Sequence, residues 1–234
     1  MQKKKKVAFI KFGGMCSGGT EKHLQTLAKN LSKDQFDVTY FYCDAAPYIG
    51  SDYKHADTDE FRLKYMQESG VKIVKFNVGA KDVTQFNHPW VDTNFWDVFD
   101  EKEFDIIQTG RSGHTEYPFH DITTTAIVDS LHLPDHVDIQ ENIQKVVLVG
   151  EDQKNRWAAK MRSQLNDLAN RQEDIKSKID DIVEKELSKA IVIPPAIEMP
   201  VGSGDLRSEL GIAKDAIVYG MHQRRDDGIY SKSL

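Results

Sequence analysis

An open parallel β-sheet with helices on both faces is the fold this sequence predicts. Three observations carry that expectation. Over the first 150 residues, short apolar runs alternate with stretches whose apolar residues fall at helical spacing. The runs are apolar at consecutive positions, as in strands buried on both sides, and turn residues separate them. A chain of 234 residues also buries most of the apolar surface it exposes when unfolded, so it needs no disulfide or metal staple.

The elements follow in order. Val7-Ala8-Phe9-Ile10-Lys11-Phe12 reads as a buried strand that stops at Gly13-Gly14. Leu24, Leu27, Ala28 and Leu31 then mark a helix, with Thr20 as its expected N-cap. Val38 to Cys43 is the second strand, and a polar stretch from Asp44 to Glu60 leads to a short helix, Phe61 to Ser69, closed by Gly70. Val71 to Val78, Asp105 to Gln108, Ala126 to Ser130 and Lys145 to Val149 are the third to sixth strands. Strand–helix alternation of this kind calls for right-handed crossovers, and ligands gather at the carboxyl ends of the strands.

The composition then changes. Glu151 to Ala190 holds neither glycine nor proline, and Met161, Leu165, Leu168, Ile175, Ile179 and Ile182 step through it by three and four, interrupted at Gln172. Two readings follow: a long helix or helical hairpin laying one stripe on its own domain, or a dimerising arm. Ile191-Val192-Ile193-Pro194-Pro195 is a last short strand, and Pro200 to Gly204 a linker. Residues 1–200 thus form one domain. Residues 201–234 read as the start of a second, with a helix at Asp205 to Leu210, a cap at Gly211 and a strand at Ala216 to Gly220; so little cannot bury a core of its own.

Charge and composition narrow the function. A net charge of −6 offers no phosphate-neutralising face, which argues against a duplex nucleic-acid binder. The basic cluster Lys3 to Lys6 reads as a solvated tail, with a membrane surface as its alternative partner. No apolar run approaches the roughly 18 residues of a membrane span, and two cysteines make no disulfide scaffold, so a cytoplasmic setting is expected, with peripheral contact at the inner face of a membrane left open.

The turn after the first strand is Gly13-Gly14-Met15-Cys16-Ser17-Gly18-Gly19-Thr20. Glycines there let a ligand approach the backbone, and the helix behind it offers free N–H groups to an anion; the plain alternative is a tight packing turn. Gly19 stands where a Walker A loop has its lysine, and the G-x-G-x-x-G dinucleotide pattern is absent.

The longer run Gly18-Gly19-Thr20-Glu21-Lys22-His23, with Leu27-Ala28-Lys29-Asn30-Leu31, resembles the opening of the two-domain GT-B glycosyltransferases, in particular retaining family 4, where a "GG-T/A-E-x-H/R" segment precedes an "L-A-x-x-L" phrase. Later phrases match in order. Asp105-Ile106-Ile107-Gln108 with Gly110, Gly113 and His114 resembles the family's "D-I-I-x" strand and loop. Ser130-Leu131-His132 resembles the strand end carrying its active-site histidine. Ile191 to Ile197 resembles "V-I-P-N-G-V", with Pro195 and Ala196 replacing the asparagine and glycine, and Leu206 to Ile212 resembles "L-R-x-E-L-G-I".

The resemblance implies one Rossmann-like, acceptor-side half of a GT-B enzyme. The complete enzyme would move a sugar from a nucleotide-diphosphate sugar to a hydroxyl of a carbohydrate or lipid acceptor, with the nucleotide sugar as co-substrate and no other cofactor. His132 would organise transfer, Gly18, Gly19 and Thr20 would face the donor diphosphate, and Glu21, Arg111, His114 and Glu116 would meet the acceptor or substrate. The family's E-x7-E donor motif lies in its second domain, of which this sequence holds only the opening, so the chain by itself is expected to be inactive. The rival reading is a non-catalytic α/β protein that binds a phosphorylated ligand or a partner and dimerises through residues 151–190.

Other residues carry alternatives. His114, Glu116 and His120, with Arg111 and Asp121 nearby, could serve a metal, but lack helical H-E-x-x-H spacing and a cysteine ligand; an acceptor-binding loop is the simpler reading. Asp44, Asp57, Asp59 and Glu60 read as a solvated acidic loop. Cys16 lies beside a helix N-terminus with no base placed to activate it. Phe86, Trp90, Phe95 and Trp96 suit the core or loop anchoring better than stacking on a sugar.

Overall fold

The computed structural model describes residues 3–11, 15–16, 18–43, 58–77, 93–111, 119–134, 139–170, 173–195, 206–213 and 215–216. The chain divides into two compact units, Met1–Ile197 and Glu198–Leu234.

The first unit is a seven-stranded, all-parallel, Rossmann-like sheet in the order β3-β2-β1-β4-β5-β6-β7. Its strands are β1 Lys5–Lys11, β2 Phe36–Tyr42, β3 Lys72–Lys75, β4 Ile106–Arg111, β5 Ala126–Leu131, β6 Ile143–Leu148 and β7 Ala190–Val192. The order reverses between β1 and β4, and at such a switch point the loops beyond the strands part and leave a crevice.

Both faces are covered. Val7 and Phe9 of β1 join Val38 and Tyr40 of β2 in a core with Leu24 and Ala28 of α1 (Gly19–Asn30) and Met66 of α2 (Glu60–Glu68). The alternate residues Ala8 and Ile10 face the other way, into a core with Phe95 of α3 (Phe95–Val98) and Trp157, Met161 and Leu165 of α4 (Glu151–Ala169). This two-sided burial explains the consecutive apolar residues of the strands. Phe41, Phe76, Phe95, Phe99 and Phe104 close one end of that second core, with ring centroids 4.7–6.2 Å apart. Trp96 is 41% exposed, so of the aromatics weighed for the core Phe95 is inside and Trp96 is not; Phe86 and Trp90 lie outside the described residues.

The segment after β6 is broken rather than continuous. α4 ends at Ala169, α5 is Glu173–Lys176, and α6 (Ile179–Ser188) packs back on α4. Met161, Leu165, Ile179 and Val183 are buried, and Ile175 and Ile182 pack beside them. The heptad-like stripe is thereby used inside its own domain, as the hairpin reading expects. Leu168, 49% exposed, is the member that faces solvent.

Two helix starts are defined by their caps. Asp59 accepts hydrogen bonds from the backbone N–H groups of Phe61 (2.9 Å) and Arg62 (3.2 Å), so it is an N-cap rather than a free acidic side chain; Asp44 and Asp57 lie outside the described residues. The cap of α1 lies two residues before the expected one. Gly18 is its N-cap and Thr20 is already helical and buried. The lysine tail is partly structured, because Lys5 and Lys6 open β1; Lys5 pairs with Asp105 at 3.3 Å, and the Lys6 N–H donates to the same carboxylate at 2.8 Å.

In the second unit, α7 (Leu206–Glu209) ends at Gly211, whose φ of 66° is the left-handed cap conformation. The Arg207 guanidinium donates to the carbonyls of Ala213 (3.2 Å) and Ala216 (3.0 Å). Most of the expected strand from Ala216 to Gly220 lies outside the described residues. Among the described residues, no helix is long and apolar enough to cross a membrane.

Candidate functional site

The carboxyl ends of β1, β4 and β5 lie side by side in the sheet, and α1 runs over them. Lys11 closes β1. Although charged, it is 4% exposed, and its ammonium stands 3.8 Å from the Glu21 carboxylate of α1. Glu21 is the third residue of that helix and folds back over the N-cap, as in one half of a capping box: a Cβ built on Gly18 would overlap the Glu21 carboxylate. The α1 N-terminus, a natural place for an anion, therefore holds an anion of its own.

The glycines separate by role. A Cβ on Gly19 would meet nothing within 4 Å, so the described residues impose no packing need for glycine there. The demand for close packing falls instead on Gly110 of β4, where a Cβ would lie 3.0 Å from Thr20 Cγ2 and 3.2 Å from Leu24 Cδ1. Thr20 is thus turned against the strand rather than toward the crevice.

Upstream, the turn is tied down by backbone and amide contacts. Met15 O accepts from Asp59 N–H at 2.9 Å. Gln25 donates to Cys16 O at 3.3 Å and accepts from Arg62 Nε at 2.6 Å. Cys16 is buried, and burial together with the Glu21 charge pushes its thiol up from its ordinary value. That is the opposite of thiolate activation, which agrees with an incidental cysteine.

At the end of β4, Arg111 is 2% exposed and its Nε donates to Asp129 of β5, which is also buried. The expectation that Arg111 meets a ligand is not served by this arrangement, because its guanidinium is turned into the sheet to satisfy a buried carboxylate. His114 and Glu116 lie outside the described residues. His120 belongs to a short 3-10 turn, Phe119–Asp121. Among the described residues, no group of three metal-ligating side chains comes together.

His132 directly follows β5. Its N–H donates to Arg111 O at 3.0 Å, extending the β4–β5 pairing by one step. Its carbonyl accepts from Gln153 Nε2 of α4 at 2.6 Å. Its ring packs edge-on against His23 of α1, with centroids 5.0 Å apart and planes at 72°. Burial, then the neighbouring His23 and Lys11, lower the His132 pKa to about 4, and burial lowers that of His23 as well. Both rings are neutral at pH 7, and among the described residues the His132 Nε2 is buried without a hydrogen-bond partner. A neutral imidazole offers one donor and one acceptor to a hydroxyl without changing its charge.

The site thus brings together Gly18, Gly19, Glu21 and His132 from the expected set, and adds Lys11 and His23. Both additions had a signal in the sequence. A lysine that ends a buried apolar strand is out of place in a core, and His23 lies one helical turn beyond Gly19, on the same side of α1. No protein-family model matches the chain, and a search of the curated proteins finds no match.

Proposed function

We propose that this crevice is the diphosphate- and acceptor-facing half of a glycosyltransferase of the GT-B type. The observation that carries the reading is the His23–His132 contact, which brings the helix behind the glycine turn and the end of β5 to one place at the switch point of the sheet. That juxtaposition suits a donor whose leaving diphosphate meets α1 while its sugar reaches His132.

In the reaction, the bond between the sugar C1 and the diphosphate oxygen breaks. A new bond forms from C1 to the acceptor oxygen, and the acceptor hydroxyl passes its proton to the departing diphosphate oxygen. On this reading the leaving diphosphate displaces the Glu21 carboxylate from the α1 N-terminus, so that the N–H groups of Gly18, Gly19 and Thr20 and the buried Lys11, now paired with Glu21, meet the developing charge instead. His132, neutral and fixed at its backbone, orients a hydroxyl by hydrogen bonding. Arg111 shapes the floor through its ion pair with Asp129.

Ligand-observed saturation transfer with uridine, guanosine and adenosine diphosphate sugars tests the reading. The expected result is binding that inorganic pyrophosphate competes away and that His132→Ala and Gly19→Val both weaken. Binding indifferent to pyrophosphate and to both variants would refute it.

A further inference from the structure

The His132 side chain has been described by what its ring touches, but its backbone is held from elsewhere. Gln153, two residues into α4 and 21 residues from His132, is 4% exposed, so a polar amide has been taken almost wholly out of water. Its two ends are both satisfied. Nε2 donates to His132 O at 2.6 Å, and Oε1 accepts from Val149 N–H at 2.8 Å. One amide therefore clamps the exit of β5 to the exit of β6, at the point where each strand leaves the sheet and has no ladder partner to continue with. A primary amide carries a donor and an acceptor side by side without a charge, which suits it to this double contact.

We propose that Gln153 is the positioning residue for His132: through this clamp, helix α4 sets where the imidazole stands against His23. The inference rests on the reading of His132 as the ligand-facing histidine for its functional meaning, but not for its geometry. Among the described residues, His132 has one other backbone anchor, its N–H to Arg111 O on the β4 side. Losing the clamp leaves the residue hinged about that single bond. It also leaves a half-buried carbonyl and a half-buried N–H without these partners, which favours a shift of the strand exits toward water. A ring 5.0 Å from its neighbour depends directly on such a shift.

Three variants of the full chain separate positioning from mere destabilisation, read by the ring-to-ring nuclear Overhauser effect between His23 and His132 and by the His132 imidazole shifts. Gln153→Met removes both hydrogen bonds at nearly constant volume, and we expect loss of the His23–His132 effect and displaced His132 resonances. Trp157→Phe, one turn further along α4 and equally buried, should lower the unfolding temperature yet leave both readouts as in the wild type.

Gln153→Glu carries the rescue. At pH 10, above the range to which burial raises a glutamate, the introduced carboxylate cannot donate to His132 O and should mimic Gln153→Met. On acidification toward pH 5 the carboxyl, its pKa raised by burial, regains one donor and one acceptor, and the contact should return. The contact surviving in Gln153→Met, or in Gln153→Glu at pH 10, would overturn the proposal. Should Gln153→Met fail to fold, the pH-reversible variant decides alone. Nucleotide-sugar binding of either sign changes none of these readouts, so failure here and failure of the glycosyltransferase reading are told apart.

Discussion

Gly19 and Gly110 both belong to the candidate site, and they tolerate a side chain very differently. A methyl group on Gly110 would press on Thr20 and Leu24 of α1 at 3.0–3.3 Å, inside a packed face. Gly110→Ala should therefore cost roughly 1–3 kcal/mol, the range for overpacking, seen as a lower denaturation midpoint. Gly19 is helical and open, so Gly19→Ala should raise stability by about 0.5 kcal/mol.

The same scale carries a pH prediction. The His132 pKa is about 4 in the folded protein and near 6.5 in the unfolded chain, so the unfolded state binds more protons between those values. Stability is then unaffected above pH 6.5 and falls as the pH drops toward 4. With allowance for its partial exposure, this group contributes on the order of 2 kcal/mol to that fall. A His132→Gln variant should show a shallower loss over that window in denaturant titrations; an unchanged slope would contradict the burial argument.

Much of the residue-level site was legible. The order of His132 after an apolar run placed it at a strand end without any structure. The direction of Arg111 was not, because a strand's alternation says which face a side chain takes only when one face is polar, and both faces of this sheet are buried.

At the scale of elements, two contacts made across long sequence distances organise the chain. Glu101, in the 3-10 turn Glu101–Glu103, accepts from three successive backbone N–H groups, those of Thr123 (3.2 Å), Thr124 (2.8 Å) and Thr125 (3.3 Å). Burial alone would raise its pKa, but these bonds outweigh it and hold the carboxyl below its ordinary value. The carboxylate thereby pins the entry to β5. Since the folded pKa is the lower one, its stabilisation is full above the ordinary glutamate range and disappears as the pH falls through the folded value. Glu101→Gln should cost roughly 1 kcal/mol at pH 7, measured as the gap in unfolding free energy from the wild type, and that gap should narrow as the pH falls below the ordinary glutamate range and through the lowered folded value.

The α4–α6 hairpin gives the second element-scale test. Ile179 is buried and Ile175 packs against the same core, so replacing both with Lys should lower the unfolding temperature by about 5–10 °C, while the sedimentation coefficient stays that of the wild type. A change in association without a change in unfolding temperature would restore the dimerising arm. The spacing of Met161, Leu165 and Ile179 could not choose between these outcomes. A narrow apolar stripe has the same period whether it meets another chain or its own sheet; what decides here is the break after Ala169, which lets α6 fold back.

For the whole molecule, the sheet order explains why distant segments share a site. β1 and β4 are neighbours although about a hundred residues separate them, with β2 and β3 lying between them in the chain but on the far side of β1 in the sheet. The sequence showed the strands and their parallel class, since both follow from local pattern. It did not show which strand paired with which, because pairing is settled by crossovers whose lengths here vary widely. A rival place for an anion exists at the opposite end of the sheet, a groove of about 280 Å³ lined by Lys3, Lys5, Asp34, Gln35 and Phe36.

That rivalry defines the most direct test of a diphosphate-facing crevice. The isotope-labelled chain is titrated with inorganic pyrophosphate and then with a nucleoside diphosphate sugar, and the backbone amide shifts are mapped. The account predicts saturable shifts at Gly18, Gly19 and Thr20 with both ligands, and at His132 with the sugar nucleotide. Shifts confined to Lys3, Lys5 and Phe36, or no shifts at the glycine turn at millimolar ligand, would contradict it.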